Sequence, residues 1–178
     1  YWPLSRHLVL LTRADIGYGD SYGERKERTI DFTDAQGNPA QRVVVADGLP
    51  FFENFYAGGE RSIRGFETNT LGPVGFGTLA PDTRQPLGGS LKTAGSFEFI
   101  FPTLLDSNSA RVSAFIDYGN VFAGTDNFSA SELRASAGIA LQWQAPIGPI
   151  TISWAQPLKY DREIDRVEKL QFTFGTLF

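Results

Sequence analysis

Three residues of opposite sign carry the best chemistry in this chain: Arg64, Glu98 and Asp117. An arginine presents five donors in a rigid fork that suits a carboxylate. Glu98 and Asp117 sit on the wet sides of two successive segments of alternating polarity, where a carboxylate is either simply solvated or a ligand for such a cation. Catalytic options are few. His7 is the only histidine and cysteine is absent, so no histidine-based triad, multi-histidine metal site or catalytic thiol can be assembled. Asp15, Glu98 and Asp117 could form an acid/base set, but nothing seats a substrate beside them. Gly17-Tyr18-Gly19 lacks the helix that a phosphate cradle requires. The expectation is a protein that is not an enzyme, with no catalytic residue, no metal and no cofactor.

Six segments must position these residues, near 7-19, 93-102, 110-122, 132-144, 149-156 and 168-178. Side chains of a strand point alternately to its two faces. One face carries Leu8, Leu10, Ile16 and Tyr18, then Phe97 and Phe99, Ile116 and Tyr118, Ile139 and Trp143, Ile152 and Trp154, and finally Leu170, Phe172, Phe174 and Phe178. The opposite face carries Arg13, Glu98, Asp117, Ser136, Ser153 and Gln171. Most of these segments have the ~9–11 residues that a tilted membrane-spanning strand needs. Their connections alternate between short ones, such as Ala145 to Pro149, and longer polar ones, and the longest spans 20-92. Short turns at one end and long loops at the other are the pattern of a transmembrane β-barrel. By this parity the C-terminus lies on the periplasmic side.

Composition agrees with that pattern without requiring it. The 178 residues suffice for one domain, and 19 glycines with 13% aromatics suit a β-rich chain with many turns. A formal charge of −4 argues against nucleic acid. No apolar run reaches the length of a transmembrane helix. A soluble β-sandwich fits the composition equally well, but has no reason to keep its long loops at one end. The chain has no methionine and opens on Tyr1-Trp2-Pro3 without a signal peptide, so it is expected to be a piece of a longer protein. Six strands also fall short of the eight in the smallest common barrels, which leaves two costly open edges.

The long connection has two parts. Ser21 to Asp47 is charged, with a turn signal at Ala35 to Pro39 that would let Thr29 to Thr33 pair with Gln41 to Val45 as a small hairpin. Leu49 to Pro73 is rich in aromatics and glycine, poor material for a solvated loop. It reads as a segment folded back on something, with Arg64 delivered to a defined place.

Here a family resemblance becomes specific. PFFENFYAGGERSIRGFETNTLGP resembles the sixth extracellular loop of the BamA family of outer-membrane protein assembly factors, with Ile63-Arg64-Gly65-Phe66 in place of the superfamily's VRGF/Y motif. The similarity continues through GSFEFIFPT at Gly95 to Thr103, FIDYGNVF at Phe115 to Phe122, SAGIALQWQAPIGPITISWAQPLK at Ser136 to Lys159, and the terminal QFTFGTLF. It lapses over Gly23 to Asp47 and around Phe76 to Leu91. The resemblance implies an all-β fold: an antiparallel six-stranded part of a sixteen-stranded transmembrane β-barrel, preceded by POTRA repeats, with one long extracellular loop between the first two strands. It implies that Arg64 reaches into the lumen to Glu98 and Asp117. It also implies that the last strand, with Gly175 as its kink and Phe178 at its end, forms one side of a lateral seam where incoming strands pair. The implied partners are unfolded outer-membrane proteins, outer-membrane lipid and accessory assembly lipoproteins, with no nucleic acid, and the implied location is the bacterial outer membrane. The alternative within the superfamily is a protein-secretion transporter or a TamA-type assembly factor.

Overall fold

The alternating segments form one antiparallel sheet. The computed structural model describes residues 1–20, 27–33, 39–45, 49, 52–76, 84–105 and 109–175. The strands are β1 (Trp2–Ser5), β2 (Leu8–Tyr18), β3 (Glu27–Thr33), β4 (Pro39–Val45), β5 (Gly65–Phe66), β6 (Val74–Phe76), β7 (Arg84–Pro86), β8 (Leu91–Phe101), β9 (Ala110–Phe122), β10 (Arg134–Ala145), β11 (Gly148–Lys159), β12 (Val167–Glu168) and β13 (Leu170–Phe174). The main sheet runs in the order β1-β2-β8-β9-β10-β11-β13, and β12-β5, β3-β4 and β6-β7 form three small two-stranded ladders.

Some expectations need correction. The main sheet has seven strands among the described residues, not six, because Trp2–Ser5 folds back on β2 through a tight turn at Arg6 and His7. Four residues containing a proline carry no readable alternation, and Pro3 is tolerated because β1 is an edge strand. The segment expected to run unbroken over 168-178 is divided at Lys169. Its first part, β12, pairs with β5 from the long connection, and only β13 joins the main sheet, against β11. The chain bends at Gly175, and Phe178 lies outside the described residues. The connection between β2 and β8 is not plain loop either: it holds the expected hairpin as β3-β4 and an unforeseen one as β6-β7.

β11 extends to Lys159, past the expected end near 156, with Pro157 inside it. Proline lacks the donor that a doubly paired strand needs. The position is permitted because β13 pairs with β11 only from Ile150 to Trp154, so nothing in the main sheet requires that donor at Pro157.

Burial is inverted relative to a water-soluble sheet. The exposed large apolar side chains include Ile16, Phe97, Ile139, Trp154, Leu170 and Phe172, the last two 64% exposed. Ser96, Glu98, Ser113, Asp117, Ser136, Ser153 and Gln171 are buried. One sheet face therefore presents a continuous greasy belt, and the other is polar and covered. The cover is the segment from Phe55 to Leu71, whose Ala57, Ile63, Phe66 and Leu71 pack with Val121 in the main apolar cluster. A smaller one joins Phe115, Ala140 and Ala155.

Candidate functional site

Strand register brings the polar residues together. Across the covered face, Arg13, Ser96, Asp117 and Ser136 stand in one row of cross-strand partners on β2, β8, β9 and β10. Leu11, Glu98, Phe115, Gly138 and Ala155 form the next row, extending to β11. Ser113, Ala140, Ser153 and Gln171 form a third, reaching β13.

Arg64 enters this lattice from the covering segment. Its Nε donates to Asp117 Oδ2 at 2.7 Å and its Nη2 to Asp117 Oδ1 at 2.9 Å, a fork-to-fork pair. Its Nη1 donates to Glu98 Oε2 at 3.2 Å and its Nη2 also to Ser96 Oγ at 3.2 Å. The guanidinium carbon lies 3.4 Å from the centroid of the Phe115 ring, a cation–π contact. The main chain is held as well: the Arg64 N–H donates to Asp117 Oδ2 at 3.1 Å, and Ser136 Oγ donates to the Arg64 carbonyl at 2.5 Å. Two further hydroxyls complete the acids, from Ser96 to Asp117 and from Ser113 to Glu98, both at 2.6 Å. Asp117 is fully buried and Arg64 is 4% exposed, so this pair works in a medium where an unpartnered charge is costly.

The residues flanking Arg64 tie the segment to more strands. Gly65 has φ +89°, and a Cβ built there would stand 3.1 Å from Ala155 Cβ and 3.4 Å from Ser136 Cβ. Only glycine meets both the left-handed backbone and the close approach without strain. Gly65 and Phe66 form the β5-β12 ladder with Glu168 and Val167. Arg13 reaches across to the Ser62 carbonyl at 3.3 Å. Glu60 accepts a hydrogen bond from Ser153 Oγ. Burial pushes the Glu60 carboxyl above its ordinary range, against the opposing pull of the Ser153 hydroxyl and the Arg64 charge.

The structure thus brings Ile63, Arg64, Gly65 and Phe66 together with Glu98 and Asp117. It does not bring Asp15 to them: that residue pairs with Lys92 at 2.6 Å, with half of its side chain in solvent. His7 faces Thr103 instead, at 2.8 Å. No group of three metal-ligating side chains occurs among the described residues. Ser96, Ser113, Ser136, Phe115, Glu60 and Gln171 were not singled out from sequence. Alternation already assigns most of them to the covered face, but the cross-strand register that makes them neighbours is not written in any one segment.

An antiparallel sheet with a greasy outer belt and a polar inner face filled by a returning segment is a wall section of a transmembrane β-barrel. The Omp85 superfamily domain matches residues 1–178, and the chain belongs to that superfamily. Two of its relatives there are BamA proteins. The outer membrane protein assembly factor BamA of Neisseria meningitidis serogroup B is 33% identical over 204 aligned residues, covering 100% of this chain and 23% of the relative. The corresponding protein of Nitratidesulfovibrio vulgaris is 28% identical over 132 residues, covering 73% of this chain and 16% of the relative. The crystal structure of BamA from Haemophilus ducreyi lacking POTRA domains 1-3 superposes with a TM-score of 0.68 at 27% identity, over 96% of this chain and 32% of that one. The chain spans less than a quarter of the length of these two curated relatives, and its sheet has the fold of an outer-membrane barrel wall.

Proposed function

We propose that this chain supplies part of the wall of a barrel that folds and inserts other β-barrel proteins into the bacterial outer membrane, by pairing strands at a lateral seam beside β13. The observation that carries the reading is the state of β13. Among the described residues it pairs with β11 over five positions, against eleven for β10 with β11, while Leu170, Phe172 and Phe174 face outward. A lipid-facing strand held to its neighbour by so short a ladder is suited to exchange pairing with an incoming strand by β-augmentation. The names of the relatives favour assembly over secretion. Unfolded outer-membrane proteins are the clients in this reading, outer-membrane lipid is the surrounding solvent, accessory lipoproteins serve the full-length protein, and no catalysis, cofactor or nucleic acid takes part.

The direct test places a cysteine at Thr173 in the full-length protein and another in the C-terminal strand of a client. Disulfide capture during assembly is expected. Capture no greater than with a cysteine at Thr93, far from the edge, would sink the seam reading.

Gly175 bears on the same edge. Its φ is +105°, and a Cβ there would have no atom within 4 Å. No described atom would crowd a side chain there, so the cost expected of Gly175→Val is backbone strain, on the order of 1–3 kcal/mol. The valine is expected to straighten the bend and slow client assembly in full-length protein while the barrel still folds. Assembly at the wild-type rate would show that the bend has no part in the work.

A further inference from the structure

We infer that Gln171 couples the docked state of the Arg64 segment to the hold on the last strand. The inference rests on the seam reading for its biological meaning, but its geometry stands apart from it. Gln171 is 5% exposed and points to the covered face of β13. Its Oε1 accepts from the Gly65 N–H at 3.3 Å, and its Nε2 donates to the Phe66 carbonyl at 2.7 Å and to Glu168 Oε2 at 3.2 Å. The primary amide thus acts as both donor and acceptor to the motif's backbone, extending the β5-β12 ladder onto a side chain of β13. Gly65 follows directly on Arg64, so one peptide separates the buried ion pair from this amide.

Among the described residues, few other contacts secure β13. Its five residues pair with β11 in the main sheet. Just upstream, the Ala155 N–H donates to the Lys169 carbonyl at 2.8 Å, and the Glu67 N–H donates to the Arg166 carbonyl at 3.0 Å. The Arg166–Glu67 ion pair, at 3.6 Å and about half exposed, adds little. Release of Arg64 from Asp117 and Glu98 moves Gly65 and Phe66, which takes away both backbone partners of Gln171 and the β12 ladder together. The loop and the seam strand therefore loosen as one unit. No other residue type of this length provides both a donor and an acceptor: glutamate would set a carboxylate oxygen against the Phe66 carbonyl and beside Glu168, and methionine can form neither bond with comparable strength.

The test is amide hydrogen exchange of residues 167–174 in the full-length protein held in lipid nanodiscs, for the Arg64→Ala, Gln171→Met and Gln171→Glu variants and the Arg64→Ala/Gln171→Met double variant. Arg64→Ala is expected to speed exchange in β13 about tenfold, the scale of losing two net hydrogen bonds. Gln171→Met and Gln171→Glu are each expected to do the same while Arg64 stays docked, and the double variant is expected to add little to either single change. Exchange in β13 that ignores Arg64→Ala, or effects that multiply in the double variant, would overturn the coupling. Gln171→Glu preserves side-chain size, so it remains informative if the methionine variant fails to fold. The cysteine capture described above reads the seam separately: its failure would remove the function from the coupling without touching the exchange result.

Discussion

Arg64→Ala is expected to free the covering segment while leaving the sheet in place. The substitution removes the only cation that touches Asp117 among the described residues, a fully buried carboxylate, and leaves Glu98 with the Ser113 hydroxyl. Breaking a buried ion pair from one side costs about 3–5 kcal/mol, because the remaining charge is stranded without its partner. The cost is avoided if the segment lifts away and lets water reach both acids, so undocking rather than global unfolding is the expected outcome. Limited proteolysis between residues 52 and 76 in full-length protein should show fast cleavage in the variant and protection in the parent, with strand content by circular dichroism unchanged. Equal protection would mean that Arg64 does not hold the segment. Arg64→Lys is expected to fall much nearer to alanine than to the parent, since an ammonium cannot make the paired contact with Asp117 or lie flat over Phe115.

Gly65→Val is expected to produce a similar exposure with every charged residue still present. A β-branched side chain at φ +89° carries backbone strain of order 1–3 kcal/mol. Its Cβ also presses on Ala155 and Ser136, which adds a further ~1–3 kcal/mol of overpacking. The measurement is the same proteolysis assay with Ala155→Gly added. Because that change relieves crowding and leaves the backbone strain, partial rescue is expected. Full rescue would show that the left-handed conformation costs nothing here, and no rescue would show that crowding against Ala155 is not the cause.

The two variants separate what sequence could reveal from what it could not. The strands and their outward faces were legible because alternation is local: Ile139, Leu141 and Trp143 declare one face of β10 without reference to any other segment. Arg64, Glu98 and Asp117 were legible through sign, inward parity and the family motif. The serines were not. Ser96 and Ser136 are ordinary inward residues until register sets both opposite Asp117, and a slip of one residue in either ladder would turn them outward. Gln171 was hidden for the same reason, and the division at Lys169 was hidden because the partner of Val167 and Glu168 is β5, from the long connection, which those residues do not name by themselves. Trp2–Ser5 is not legible as a strand because pairing there depends on β2 and not on its own four residues.

The contacts of the covering segment also set a timetable. Arg64 finds Ser96 32 and Asp117 53 positions ahead, and Ser136 72 positions ahead. Glu60 meets Ser153 across 93 positions, and Gly65 meets Gln171 across 106. Closing such distances is worthwhile only once the far residues already stand side by side. The segment has no complete seat until β8, β9, β10, β11 and β13 are all in register. Its arrival is therefore expected to be a late event, and the onset of its protection from protease should serve as a clock hand marking the moment when β13 takes its place in this wall.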